Sequence, residues 1–291
     1  MSWNVKTVLQ LGRVSNLPTV WSNTLAGAAL TGSNPLSGNL LIMMFAMSLA
    51  YIGGMFLNDA FDREIDAKER PERPIPSKQI KAAEVFAAGF TLLAGAVMFA
   101  AVAAASWGHN FLLVTLLSLA LCGAIVIYNK WHKDNPYSPV IMGICRLLVI
   151  LAAGFAAAES PSIVLYFGAV AILCYQIGLT YTAKQENFGE VKNLWPLALL
   201  AAPLLYGLFK SATDFQVLPS VILLALWTSF ALYFVKRRQK GDIPKAVVSM
   251  IAGISLVDAL LISTVSSLPI AAFAVAAFGL TLFLQRYIAD T

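Results

Sequence analysis

The sequence predicts an all-α fold, a single polytopic bundle of transmembrane helices that spans residues 1–291. Hydrophobic residues make up 59% of the chain and charged residues only 12%, whereas charged residues form about 25% of a soluble domain. Apolar segments of about the length needed to cross a bilayer recur along the whole chain. Most basic residues lie in alternate connections between these segments. Together these observations exclude a water-soluble globular protein.

The predicted elements begin with a short amphipathic helix in residues 1–15, which has Trp3, Val8 and Leu11 on one side. Such a helix is suited to the membrane surface. Ten apolar segments follow, and we predict that each is helical. Their approximate bounds are 16–30, 40–57, 82–105, 111–128, 139–157, 163–182, 194–209, 217–235, 246–265 and 269–286.

The distribution of basic residues predicts the orientation. If the amino terminus is cytoplasmic, 18 of the 20 Lys and Arg residues fall on the cytoplasmic side, and only Lys210 and Arg146 do not. Cytoplasmic loops of membrane proteins carry an excess of Lys and Arg. We therefore expect a multi-pass protein, in a bacterial inner membrane, with the loop after the second segment in the cytoplasm.

Several other functions are not indicated. The formal charge of +5 lies in loops beside the membrane and does not suggest a nucleic-acid partner. The three cysteines lie inside apolar runs without metal-ligand spacing, which is typical of core residues. His109 and His132 are too far apart in sequence to suggest a metal pair. Residues 1–12 lack the apolar core of a cleavable signal peptide.

A polar motif directly follows the second apolar segment. At about 100° per residue, Asn58, Asp59, Asp62 and Asp66 share one face of a continued helix, whereas Glu64 points elsewhere. Carboxylates on one face repel one another unless a cation lies between them. Mg²⁺ prefers such oxygen ligands, together with water and substrate phosphate. The motif therefore predicts a metal and diphosphate site at the membrane surface; a solvated, charged loop is the alternative.

This motif, Asn-Asp-x-x-Asp-x-x-x-Asp at residues 58–66, is followed by Arg-Pro-Ile-Pro-Ser at residues 73–77. It resembles the first aspartate-rich motif of the UbiA superfamily of intramembrane prenyltransferases, and the resemblance covers nearly the whole chain. It implies about nine spans around a central cavity for a lipid tail. It also implies Mg²⁺-dependent transfer of a prenyl group from a polyprenyl diphosphate to a small aromatic or otherwise nucleophilic acceptor, with release of diphosphate.

The resemblance also implies roles for individual residues. Asn58, Asp59, Asp62 and Asp66 are the expected Mg²⁺ ligands, and the three aspartates with Lys184 are the expected catalytic residues. The expected diphosphate-binding residues are Arg63, Lys68, Arg73, Lys184 and Arg146. For Arg146, which lies inside a span, two alternatives remain: it pairs with an acid such as Asp258, or its side chain extends to the cytoplasmic edge.

The family's second motif is altered in this sequence. Glu186 and Glu190 occupy the positions of two aspartates, and their i, i+4 spacing places both carboxylates on one helical face. They are candidate ligands for a second Mg²⁺, beside Lys184. Glutamate is longer than aspartate and Gly189 disfavours a helix here, so an ordinary charged loop is the alternative.

Five residues are candidates for the acceptor end of the cavity: Arg13, Asn16, Tyr128, Asn129 and Tyr181. The first two resemble an Arg-x-x-Asn pattern of the family at the first span, whereas Tyr128 and Asn129 either contact substrate or have an ordinary interfacial role. The expected partners are the prenyl diphosphate donor, an acceptor that the sequence does not identify, and the lipid bilayer. The competing function is a non-catalytic membrane binder or transporter of an isoprenoid or phosphorylated lipid.

Overall fold

The computed structural model describes residues 3–32, 35–133, 135–184, 195–265 and 268–288. These described residues form α-helices and short 3₁₀ helices, with no β-strand among them. The α-helices are α1 Val5–Leu11, α2 Pro18–Ala29, α3 Gly38–Glu69, α4 Ala82–Trp107, α5 Phe111–Trp131, α6 Ser138–Ala157, α7 Ile163–Lys184, α8 Ala202–Ser211, α9 Leu218–Arg237, α10 Asp242–Ser263 and α11 Leu268–Tyr287. The predicted all-α fold is confirmed.

Within the described residues, eight helices are long and apolar enough to cross a membrane, namely α3 to α7 and α9 to α11. The chain is therefore an integral, multi-pass membrane protein. Two of the ten predicted segments form shorter helices. Helix α2 has 12 residues, and the segment 194–209 contains a 3₁₀ helix, Trp195–Ala201, that leads into α8. Pro196 and Pro203 lack the backbone N–H that a continuous α-helix would use there.

Helix α2 lies at the centre of the bundle, where it packs against α3, α6, α10 and α11. All of its residues except Trp21 are buried. Its close approach to α6 depends on glycine: a Cβ at Gly27 would lie 2.5 Å from the Ile150 carbonyl oxygen, and one at Gly154 would lie 3.1 Å from the Gly27 carbonyl oxygen. Small residues let helix backbones approach closely inside a membrane protein.

Helix α3 is longer than a bilayer requires. Its 32 residues extend about 48 Å at 1.5 Å per residue, whereas the hydrocarbon core is about 30 Å thick. The excess length allows the carboxyl-terminal third, which carries the polar motif, to lie beyond the hydrocarbon. The helix ends before Pro71, which disfavours the helical conformation in the residue that precedes it.

A small apolar cluster holds the amino terminus and the loop 70–81 against this end of α3. Leu11 of α1 and Ile80 of the loop are buried with Phe56, Ala60 and Val85. The predicted amphipathic helix is present in a shorter form, and its apolar side packs on α3. The cluster positions the loop beside the polar motif.

Candidate functional site

The acids of α3 form one buried face, as the helical spacing predicts. Asn58, Asp59, Asp62 and Asp66 are only 3–8% exposed. The Glu64 side chain is 81% exposed. Burying three carboxylates is costly unless each is paired with a cation or a metal. The surroundings of this acid face, defined as these four buried residues, therefore determine what it can bind.

Two arginines pair with two of the carboxylates. Arg13 Nη2 lies 3.3 Å from Asp59 Oδ1. Arg73 Nη1 lies 2.7 Å from Asp66 Oδ2 and 3.6 Å from Asp59 Oδ1. Arg73 is itself only 6% exposed. The structure thus places Arg73, a predicted diphosphate ligand, and Arg13, a predicted acceptor residue, together on the acid face.

The third carboxylate faces the segment after α5. His132 Nε2 lies 3.5 Å from Asp62 Oδ2, and Lys133 Nζ lies 3.8 Å from the same oxygen. Burial lowers the pKa of His132 below its ordinary value, although the charge of Asp62 opposes this shift. This shift favours the neutral form of the ring, and Lys133 is the cation beside Asp62. Sequence reasoning missed both residues as site residues, because α5 and α3 are far apart in the chain.

Asn58 and Asn129 connect the acid face to α5. Asn58 Nδ2 donates to Asn129 Oδ1 at 3.2 Å, and Asn129 Nδ2 donates to the Gly54 carbonyl oxygen at 2.8 Å. Arg13 Nη2 donates to Asn58 Oδ1 at 3.3 Å. These contacts fix the amide of Asn58 beside Asp59 and make Asn129 a part of the site's framework.

Two other residues that were predicted to bind diphosphate, Arg63 and Lys68, do not contact the acid face. Arg63 donates to the Ala60 carbonyl oxygen and to Glu64, and its guanidinium lies over the Phe86 ring. Lys68 is exposed on the last turn of α3. Neither side chain is held against the buried carboxylates. Their predicted contact with diphosphate remains a prediction that requires the side chains to move.

Lys184, at the end of α7, holds the segment that carries His132. Its Nζ donates to the carbonyl oxygens of His132 at 3.1 Å and Asn135 at 2.7 Å, and to Ser138 Oγ at 2.8 Å. Hydrogen bonds from a charged donor are stronger than neutral ones. To contact a diphosphate, as predicted, Lys184 would have to break at least one of these hydrogen bonds. Glu186 and Glu190 lie outside the described residues.

A cavity of about 300 Å³ opens beside the acid face. Four of the five predicted acceptor residues line it, namely Arg13, Asn16, Tyr128 and Asn129, and so does Arg146. Tyr181 is half-buried on α7 and is not among the lining residues. The rest of the wall is mainly apolar and includes Val20, Met47, Leu121, Ile125, Val149 and Ile254. An apolar cavity with a polar mouth suits an amphiphilic ligand.

Arg146 and Asp258 do not form an ion pair within 4.0 Å in the part of the chain that the structure describes. Arg146 donates to the carbonyl oxygen of Thr19 at 3.1 Å and to its Oγ1 at 2.9 Å. Asp258 accepts from Ser22 at 2.6 Å and from Asn23 at 3.1 Å. The direct pairing that the sequence left open is therefore absent here.

The acid face has the chemistry that Mg²⁺ requires, since it offers oxygen ligands from an amide and three carboxylates. Among the described residues, however, no three His, Cys, Asp or Glu side chains converge closely enough to form a metal site. The arginines, His132 and Lys133 neutralise or contact the acids instead. The donor set therefore fits a metal, provided that the cations withdraw when it binds.

Comparisons with known proteins identify the family of this chain. A profile of the UbiA prenyltransferase family matches residues 17–254. Digeranylgeranylglyceryl phosphate synthase of Methanothrix thermoacetophila is 29% identical over 257 residues, which cover 81% of this chain and 90% of the relative. Chloroplastic chlorophyll synthase of Arabidopsis thaliana is 33% identical over 219 residues, which cover 70% of this chain and 54% of that protein.

The fold is also similar to a solved structure. A UbiA homologue from Archaeoglobus fulgidus, bound to DMAPP and Mg²⁺, superimposes with a TM-score of 0.55 at 14% sequence identity. The superposition covers 94% of this chain and 99% of the homologue. At this identity the likeness establishes the fold alone. The ligands belong to that homologue.

Proposed function

Because the chain belongs to the UbiA prenyltransferase family and is a prenyltransferase, we propose that it carries out the following reaction. It transfers a prenyl group from a polyprenyl diphosphate to a small nucleophilic acceptor inside the membrane, with Mg²⁺, and releases diphosphate. One observation carries the proposal: the buried acid face of α3 adjoins an apolar cavity, because Arg13 and Asn129 contact the face and also line the cavity.

The two parts of the site match the two parts of the donor. A hydrocarbon tail is stabilised by about 0.8 kcal/mol for each CH₂ group that leaves water, and the cavity wall is mainly apolar. The diphosphate requires cations, and Arg13, Arg73 and Lys133 already lie at the acid face. The donor therefore fits with its head at this face and its tail among the helices.

Asn58, Asp59, Asp62 and Asp66 would hold Mg²⁺. When bound, the metal supplies positive charge that stabilises the diphosphate as a leaving group. With the metal bound, the cations that pair with the acids here would be free to contact diphosphate oxygens. Arg73 is the best placed, because the folded loop holds its guanidinium against two of the carboxylates.

In the proposed reaction the allylic C–O bond breaks and its electron pair leaves with the diphosphate. A nucleophilic atom of the acceptor forms the new bond to the allylic carbon and loses its proton to water or to a basic group. The allylic cation must be protected from water until that bond forms. The apolar walls contributed by Leu121, Ile125 and Val149 provide this protection.

The experiment is an assay of diphosphate release. Purified protein is given geranyl, farnesyl or geranylgeranyl diphosphate with Mg²⁺ and a membrane extract as the source of acceptor. We expect Mg²⁺-dependent release and a new prenylated product, identified by mass spectrometry. Saturable donor binding without release would instead favour the carrier function. Full activity of Asp62→Ala would refute the assignment of the acid face.

A further inference from the structure

Arg146 is a half-buried cation that has no carboxylate within 4.0 Å among the described residues, although the charge of Asp258 acts on it from a longer distance. It lies on α6 and lines the cavity. Both of its hydrogen bonds go to the neutral Thr19, and the Asp258 carboxylate is already bonded to two other side chains. A guanidinium inside a membrane protein is costly unless it is paired. The cavity is therefore the place where an anion would meet this charge.

Gln176 of α7 also lines this cavity and carries a second unused polar group. The residue is only 6% exposed and is part of the cavity wall. Its Nε2 donates to Thr180 Oγ1 at 3.1 Å. Its amide oxygen has no hydrogen-bond partner among the described residues. A buried polar atom normally has a partner, so this oxygen lacks a hydrogen bond that a hydroxyl or amine of a ligand would supply.

Both groups lie farther into the bundle than the contact between Lys184 and Ser138. Lys184 Nζ donates to Ser138 Oγ at 2.8 Å, which joins the end of α7 to the start of the antiparallel helix α6. Arg146 follows Ser138 by eight residues and Gln176 precedes Lys184 by eight, so both lie about 12 Å along their helices from that contact.

Arg146 and Gln176 lie away from the acid face. Lys184 also bonds the carbonyl oxygen of His132, whose ring contacts Asp62. The acid face therefore lies near the Ser138–Lys184 contact, and the Arg146–Gln176 pair lies deeper along the cavity. A diphosphate held at the acid face would leave the deeper pair unoccupied.

We propose that Arg146 and Gln176 form the binding site for the acceptor, and that the acceptor is a small anion that carries a hydroxyl group. Arg146 binds its carboxylate or phosphate, and the Gln176 amide oxygen accepts a hydrogen bond from its hydroxyl. This inference rests on the proposed function, because it assumes that the diphosphate of the donor occupies the acid face. It reassigns Arg146 from the donor to the acceptor.

The test compares charged and neutral probes of similar shape by equilibrium dialysis against the purified full-length protein. The carboxylate arm uses 4-hydroxybenzoate and its methyl ester, and the phosphate arm uses glycerol 1-phosphate and glycerol. We expect the protein to bind at least one anion about tenfold or more tightly than its neutral counterpart, a difference typical of one ionic contact. Absence of any such preference, or of any binding, would overturn the proposal.

Variants then assign the preference to the two residues. Arg146→Gln is expected to lose the charge preference, whereas Arg146→Lys keeps it in part and the exposed control Arg286→Gln keeps it fully. Gln176→Met is expected to lower the affinity for anions that carry a hydroxyl group, whereas the affinity for benzoate, which has none, should not change. An Arg146→Gln variant that still prefers the anion would refute the site.

Donor binding separates this inference from the proposed function. With Mg²⁺, Arg146→Gln is expected to bind farnesyl diphosphate as tightly as the unmodified protein does. If donor affinity falls instead, Arg146 binds the diphosphate and only the acceptor site is wrong. If the unmodified protein binds the anionic probes but releases no diphosphate with any donor and extract, the proposed function fails while the anion site stands.

Discussion

The guanidinium of Arg73 donates to Asp66 Oδ2 at 2.7 Å, although the two residues belong to different elements, the loop 70–81 and helix α3. The Ser77 hydroxyl and amide both donate to the Arg73 carbonyl oxygen, which shapes the turn that carries the arginine. Burial of Ile80 anchors the loop. The Arg-Pro-Ile-Pro-Ser segment therefore serves to fold a cation back over the acids.

Arg73→Gln is expected to lower kcat/KM for diphosphate release by about 10- to 100-fold, because a hydrogen bond between charged groups contributes about 1.5–3 kcal/mol. The matched control is Arg70→Gln, which changes an exposed arginine three residues earlier. It is expected to retain activity. Equal losses in the two variants would indicate a general effect of loop charge and would contradict a specific role for Arg73.

Asp62→Asn is expected to reduce turnover by at least about 100-fold, because it removes a charge that the metal needs. Glu64→Gln, on the exposed side of the same helix, is the matched control and should be nearly fully active. Mn²⁺ binding followed by electron paramagnetic resonance provides a readout that is independent of turnover. Unchanged Mn²⁺ affinity in Asp62→Asn would remove Asp62 from the metal site.

Lys184→Met tests whether this lysine stabilises the fold or binds the diphosphate. We expect a lower Tm in detergent, because Nζ makes three hydrogen bonds to residues 132–138 and each charged bond contributes about 1.5–3 kcal/mol. Activity should fall with it, since His132 and Lys133 lose their support. An unchanged Tm together with weaker donor binding would instead place Lys184 on the diphosphate, as the family resemblance implies.

Gly27→Ala is expected to destabilise the bundle by about 1–3 kcal/mol, the usual cost of overpacking, because the added methyl group would lie 2.5 Å from a backbone oxygen of α6. Gly279→Ala is the matched control. It lies on α11, and apart from the nearby backbone of its own helix and its chain neighbours no atom of the described residues lies within 4 Å of the added Cβ. It should leave the Tm unchanged or slightly raised. Equal Tm values for the two variants would show that the α2–α6 crossing is loosely packed.

The orientation is tested by a cysteine at Ser77, an exposed residue of the loop 70–81. Because basic residues favour the cytoplasmic side, a membrane-impermeant maleimide applied to intact cells should not label it. A cysteine at Thr213, in the connection between α8 and α9, should be labelled. The unmodified protein, with its three native cysteines, gives the background. Labelling of Ser77→Cys from outside would reverse the orientation.

Much of the fold follows from local sequence patterns. The long apolar runs predicted helices α3 to α7 and α9 to α11, and the 3.6-residue period placed Asn58 and the three aspartates on one face. The short α2 was harder to interpret, because its length is set by burial at the centre of the bundle rather than by the bilayer. His132 and Lys133 gave no local sign of their contact with Asp62.

The sequence alone determined the membrane-spanning class, the acid face and the supply of cations around it, because hydropathy, helical period and charge are read from single segments of the chain and do not require knowledge of which segments meet. Only the tertiary structure decided which cation meets which acid, such as Arg13 with Asp59 across 46 residues, and brought Arg146 and Gln176 to one cavity. Contacts of this kind depend on how all the helices pack together. That packing reflects the shapes of side chains across the whole bundle, which no local pattern records.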